Sequence, residues 1–148
     1  MKKSGFERVF VALSGGIDSA IVAAIAVDAL GAEAVTGVSL PSRYSSEGSV
    51  GDAVDLAQRL GIRMISMPIE PMHAAALGTL AEEFGSDDAG TAGENVQSRI
   101  RGLLVMALSN HMPRSMVLTT GNKSEYACGY ATLYGDMVGG FAVIKDVP

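Results

Sequence analysis

The sequence predicts an α/β protein: a three-layer α/β/α arrangement around a parallel sheet, Rossmann-like in its winding. Short apolar runs rich in Val, Ile and Phe alternate with longer stretches of helical spacing, the pattern that gives parallel strands covered by helices. Each of the four apolar runs is closed within two residues by Gly or Pro, the strongest local breakers. Of the 148 residues 18 are Gly and none is Trp, so the helices must pack through small and aliphatic side chains.

Residues 8–13 (RVFVAL) read as a buried strand that Ser14-Gly15-Gly16 ends. Residues 18–30 read as a helix, with Ile17, Ile21, Ala24 and Ile25 at helical spacing and Gly31 as its stop. A second strand is expected at 34–40, closed by Pro41, followed by a polar loop over 42–49. Residues 51–60 form the next helix, with Ala53, Val54, Ala57 and Leu60 on one face. A third strand at 63–67 ends at Pro68, and a third helix covers 72–84. The stretch 85–93, with two acids and three glycines, reads as a loop. The helix over 94–111 is apolar nearly all round, at Ile100, Leu103, Leu104, Val105, Met106 and Leu108, which points to a deep core or a covering partner. Pro113 breaks it, and 115–119 (SMVLT) is the fourth strand. From Gly121 the chain is less regular. One domain over 1–148 is expected, without repeats or linkers.

Composition narrows the function. A net charge of −5 excludes a broad basic face for nucleic acid, so no nucleic-acid partner is expected. No apolar run approaches the roughly 18 residues of a membrane span, and residues 1–5 lack the apolar stretch of a signal peptide. A cytoplasmic protein without membrane contact is the expectation. A single cysteine excludes a disulfide framework and a Cys-rich zinc site.

The chemistry concentrates after the first strand. Ser14-Gly15-Gly16-Ile17-Asp18-Ser19 leads directly into a helix. Paired glycines let the backbone approach an anion, and the helix start offers unpaired N–H groups and a positive dipole end. The loop lacks the lysine of a Walker A sequence and the spacing of the dinucleotide fingerprint. Asp18 would repel a bare phosphate, and a bridging Mg²⁺ resolves the conflict. Asp and Ser also favour helix starts without any ligand.

This loop resembles the pyrophosphate loop of the ATP pyrophosphatases, a superfamily with an adenine nucleotide alpha hydrolase-like fold. Two further segments resemble one family within it, NAD synthetase. They are Glu94-Asn95-Val96-Gln97-Ser98-Arg99-Ile100-Arg101-Gly102 and Thr119-Thr120-Gly121-Asn122-Lys123-Ser124-Glu125, the latter running on through Tyr134-Gly135-Asp136 to Phe141. The Gly-Asn-Lys-Ser-Glu version is similar to the glutamine-dependent branch. The resemblance implies a ligase that amidates deamido-NAD to NAD through an adenylate, releasing AMP and pyrophosphate, with ATP as co-substrate and Mg²⁺ as cofactor. Ser14, Gly15, Gly16, Ile17, Asp18 and Ser19 are then the phosphate-holding residues, and Ser39, Leu40 and Thr120 complete the ATP site. Asp18 and Glu125 are the implied metal ligands and catalytic acids. Asn95, Arg99 and Asp136 are the implied deamido-NAD contacts. The family also implies a homodimer, here through the 94–111 helix, and a glutaminase domain or partner that supplies ammonia. Its synthetase domain continues past Pro148, so a C-terminally incomplete domain is expected. The alternatives are an ATP-binding fragment without turnover and another adenylating amidotransferase such as GMP synthetase.

Other residues take plainer expectations. Arg99 and Arg101 read, apart from the resemblance, as solvated helix cations. Asn95 also suits the N-cap of its helix. Cys128 has no basic neighbour and is expected to be a buried inert thiol. His73 and His111 read as structural or solvated, Lys123 as a surface charge, and Met64, Met67 and Met72 as packing. Glu82, Glu83, Asp87 and Asp88 read as a solvated acidic end of the third helix.

Overall fold

The computed structural model describes residues 5–85 and 90–148. The expectations for residues 1–4 and for Asp87 and Asp88 lie outside that range. The elements are β1 (Arg8–Ala12), α1 (Ile17–Leu30), a 3-10 turn (Ala32–Ala34), β2 (Val35–Ser39), α2 (Glu47–Leu60), β3 (Arg63–Ser66), α3 (Glu70–Phe84), α4 (Gly90–His111), β4 (Ser115–Thr119), α5 (Lys123–Cys128) and β5 (Phe141–Ala142). The strands form one parallel sheet in the order β3-β2-β1-β4-β5. The winding reverses between β1 and β4, and the crevice at their carboxyl ends is where such sheets bind ligands. No described helix is long and apolar enough to cross a membrane.

The central strand divides the core by simple alternation. Val9 and Val11 point to the layer of α1 and α2, against Val22, Ala23, Ala53 and Ala57. Phe10 points the other way, against Ile69, Ile100 and Val105. Both faces of β1 are covered, which is why its sequence is continuously apolar.

The structure bears out α1 as a helix and shows which of its faces is inward. Its inward face is Ser19, Val22, Ala23 and Ala26, whereas Ile17, Ile21 and Ile25 are 70%, 41% and 44% exposed and Ala24 is also exposed. The helix is apolar around most of its circumference, so spacing alone does not choose a face. The small residues take the inside because they let the helix lie close to the sheet. Val54 is likewise exposed on α2, which buries Ala53 and Ala57.

Element starts also differ, each for a local reason. The second helix begins inside the expected polar loop, because Ser46 caps it: the Ser46 Oγ accepts from the Ser49 N–H at 3.0 Å. The third begins at Glu70, with Pro71 in the first turn, where no N–H is needed. The fourth begins at Gly90, so Asn95 lies in its second turn and is no N-cap. Helix α5, in the stretch that reads as irregular, is opened by a capping box between Asn122 and Glu125.

The 42–45 turn is clipped to α3 by Arg43. Its backbone N–H and Nε donate to the Glu70 carboxylate at 3.2 and 2.8 Å, and an ion pair adds to them. The hydrogen bond from Arg43 is the main reason that the Glu70 carboxyl titrates below its ordinary value. A depressed folded-state value means that the clip stabilises above the unfolded-state pKa and is lost as pH falls through the folded one. The thermal midpoints of wild type and Glu70→Gln, measured against pH, are therefore expected to differ slightly at neutral pH and to converge in acid. Parallel curves would refute this.

Candidate active site

The 14–19 loop links the end of β1 to the start of α1. Gly15 has φ +82° and lies so close to the start of α2 that a Cβ there would come within 2.4 Å of the Ser49 carbonyl oxygen. Both facts require glycine. The Gly16 N–H donates to the Ser14 Oγ at 3.2 Å, and the Ser19 Oγ donates to the Gly16 carbonyl at 2.9 Å. Ser19 is buried, so its hydroxyl shapes the loop from inside. The Ile17, Asp18 and Ser19 N–H groups, in the first turn of α1, have no intrahelical partner and carry the positive end of the dipole.

A cavity of about 280 Å³ opens beside this loop, walled by Ser14, Ser39, Leu40, Ser45 and Arg101. Ser39 and Leu40 are buried at the end of β2. Thr120, after β4, is half-buried and is not a wall of this cavity. Its neighbour Thr119, which sequence reasoning passed over, is buried with its Oγ1 unpartnered among the described residues.

A larger cavity, about 720 Å³, lies between α3, α4 and the 129–136 segment. Asn95, Asp136 and Arg101 are among its walls; Arg99 is not. Asn95 and Arg99 do share a face, which holds the 130s segment. The Thr132 hydroxyl donates to the Asn95 Oδ1 at 3.0 Å, and the Arg99 Nε donates to the Leu133 carbonyl at 3.3 Å. Asp136 caps the same turn by accepting from the Thr132 N–H at 2.6 Å, and its own N–H donates to the Ser98 Oγ at 3.0 Å.

Two glycines make this contact possible. A Cβ on Gly102 of α4 would lie 2.9 Å from the Tyr134 and Gly135 carbonyl oxygens, and one on Gly135 would lie 2.2 Å from the Ser98 Oγ. Gly102→Ala is expected to release the 129–136 segment. Overpacking costs about 1–3 kcal/mol, and the roughly 1 kcal/mol of better helix propensity offsets only part of it. Hydrogen exchange should rise over 129–136 and stay unchanged in β1. Equal protection in both proteins would refute the contact.

Arg101 is not the solvated helix cation that its residue type predicts. Its Nε donates to the Leu40 carbonyl at 3.0 Å, and the side chain walls both cavities. Burial lowers its pKa from the ordinary value. The available signal was its position in an apolar stretch, between Ile100 and Gly102, both buried.

His73 is buried on α3, walls the larger cavity, and has no partner for Nδ1 or Nε2 among the described residues. Each buried unpaired nitrogen costs about 1–3 kcal/mol. Cys128, expected to be buried, is exposed, because it ends a short helix that buries none of its residues.

For Mg²⁺ the protein's own donor set is sparse. Among the described residues no three metal-ligating side chains cluster. Asp18 follows β1 and Glu125 follows β4, and those strands are neighbours. One Glu125 oxygen accepts from the Asn122 N–H at 3.0 Å, which leaves the other. Two carboxylates fit a cation that takes most of its ligands from water and phosphates.

A sequence model of the family described as NAD synthase matches residues 1–148. The chain belongs to the NAD synthase family. It is 55% identical over 147 residues to the glutamine-dependent NAD(+) synthetase of Rhodobacter capsulatus, covering 99% of this chain and 26% of that protein. The glutamine-dependent NAD(+) synthetase of Thermotoga maritima is 54% identical over 147 residues, with 99% and 25% covered. The chain thus spans about a quarter of these relatives.

Among solved structures, the glutamine-dependent NAD+ synthetase of Acinetobacter baumannii, a complex with ADP, superposes with a TM-score of 0.96 at 51% identity, covering 99% of this chain and 28% of that one. The NH3-dependent NAD synthetase of Campylobacter jejuni gives 0.89 at 31%, covering 99% and 61%. The fold is therefore the adenine nucleotide alpha hydrolase-like one of the NAD synthetases, as the three sequence motifs implied.

Proposed function

We propose that this chain is the synthetase domain of a glutamine-dependent NAD synthetase. In this reading the nicotinate carboxylate of deamido-NAD attacks the α-phosphorus of ATP and expels pyrophosphate. Ammonia then attacks the acyl-adenylate and displaces AMP, giving NAD. The observation that carries the reading is the adjacency of two cavities that share Arg101, one reaching Ser14 of the 14–19 loop and one large enough for a second ligand.

The roles follow from position. The Ile17, Asp18 and Ser19 N–H groups and the Ser14 hydroxyl meet the pyrophosphate portion, while Gly15 and Gly16 let the backbone approach it. Ser39 and Leu40 flank the nucleoside, and Thr120, outside that cavity's wall, meets ATP from the end of β4 in the role that the family resemblance implies. Asp18 and Glu125 hold Mg²⁺, which when bound screens the phosphates and stabilises the leaving pyrophosphate. Asn95 and Asp136 place deamido-NAD, and Arg99 acts through the Leu133 carbonyl by fixing the segment that carries Asp136. The protein's main contribution is to hold a carboxylate against a triphosphate in a preorganised field.

A glutaminase domain or partner supplies the ammonia, and the site of action is the cytoplasm. A symmetric dimer through α4 completes the reading, supported by Leu103, 58% exposed on that helix. Sedimentation as a monomer at micromolar concentration would count against the dimer.

The deciding experiment mixes the protein with ATP, Mg²⁺, deamido-NAD and ammonium and follows NAD and AMP by mass spectrometry. NAD formation that Asp18→Asn lowers at least about 100-fold is expected. ATP binding without NAD or pyrophosphate would instead identify a nucleotide-binding module without turnover.

A further inference from the structure

Helix α3 buries one of its residues fully, and that residue is a histidine. His73 is 2% exposed. It lies one turn after Ile69, which is fully buried in the Phe10 layer, and one turn before Ala76, which packs against the same layer. This is the helix face that would ordinarily carry an aliphatic side chain. Neither ring nitrogen meets a protein partner among the described residues, although buried polar groups are almost always hydrogen-bonded. The side chain walls the cavity that also holds Asn95, Thr132 and Asp136. Those three are already engaged with one another. His73 is the buried polar wall residue, and both of its ring nitrogens are without a partner among the described residues.

We infer that His73 is a positioning residue for the ligand of this cavity, and that its partner is a ribose hydroxyl of the dinucleotide; this rests on the function proposed above. A neutral imidazole offers one N–H donor and one acceptor nitrogen. A sugar hydroxyl both donates and accepts, so it matches either nitrogen. A phosphate only accepts. The charged walls of the cavity are Glu94 and Asp136 against Arg101, so Arg101 rather than His73 is the wall that suits the dinucleotide's phosphates. Both nitrogens are screened from solvent, and a small turn of the ring toward the cavity that it walls brings one of them to a seated hydroxyl.

The test compares wild type, His73→Phe and His73→Asn by calorimetric titration with deamido-NAD and, separately, with ATP. His73→Phe should keep the near-UV spectrum and the ATP affinity, because the ATP loop lies on the other side of Arg101. Its deamido-NAD affinity should fall about 5–10-fold, the scale of one hydrogen bond, and His73→Asn should recover part of it. Deamido-NAD analogues lacking a single ribose hydroxyl provide the second arm. For one of them, wild type should lose the same factor and His73→Phe should lose nothing more, the signature of a coupled pair. If every deoxy effect adds to the His73→Phe effect, the hydroxyl assignment is overturned. If wild type and His73→Phe bind deamido-NAD equally, His73 is a packing residue and only this inference fails. If wild type does not bind deamido-NAD at all, the proposed function fails and this inference with it.

Discussion

Gly15→Ala should abolish ATP binding and lower the thermal midpoint by several degrees. At φ +82° the added Cβ meets the Ser49 backbone rather than a side chain that can swing away. Left-handed strain costs about 1–2 kcal/mol, and forced contact with backbone a further 1–3 kcal/mol or so. In a domain of this size each kcal/mol moves the midpoint by about 2–4 °C. The chain can escape only by pulling the 14–19 loop off the start of α2, which tilts the first-turn N–H groups of α1 away from their common target. Calorimetry for stability and titration with ATP separate the two effects. A Gly15→Ala protein that binds ATP normally would mean that the loop is not an anion cradle.

Arg101→Met should be nearly as damaging, and chiefly to activity. The substitution keeps the aliphatic stem but leaves the Leu40 carbonyl without its donor and removes the cation that both cavities share. Losing one positioned donor costs about 100-fold in kcat/KM, and this is the fall expected in the NAD-forming assay. Arg101→Lys should recover little of it. An ammonium cannot keep the Leu40 bond and still present a planar fork to the cavities. Wild-type rates in Arg101→Lys would reduce the residue to a point charge.

These two residues also mark what was legible in the sequence. The glycine loop was visible because strand, glycines and helix start are local and consecutive. The β1, β2 and β4 runs were legible because strands covered on both faces are largely apolar, whereas β3, an edge strand with Arg63 and Ser66 exposed, was legible from the Pro68 that stops it. Arg101 was not, because its meaning lies in the Leu40 carbonyl, 61 residues away in the chain. The spacing of Ile17, Ile21, Ala24 and Ile25 marks α1 as a helix but not its inward face, because close packing on a sheet favours smaller side chains such as Ala23 and Ala26. Helix α5 was readable in principle: Asn122 and Glu125 are three apart, the spacing of a capping box. His73 gave no sequence signal at all, since a histidine at an apolar spacing is usually a satisfied core residue.

The strand order has a consequence for how the molecule is made. β1 finds its first neighbour early, with Val9 beside Val35, but its second only when Arg8 meets Ser115. Synthesis runs from the N-terminus, so the most apolar strand of the sheet waits with one edge open until four helices have left the ribosome. An open apolar edge is a template for pairing with another chain, and such long-range closures are slow. The hazardous interval in the life of this protein is thus written into the seat of β1 between β2 and β4, and chaperone demand should fall once residues 115–119 emerge.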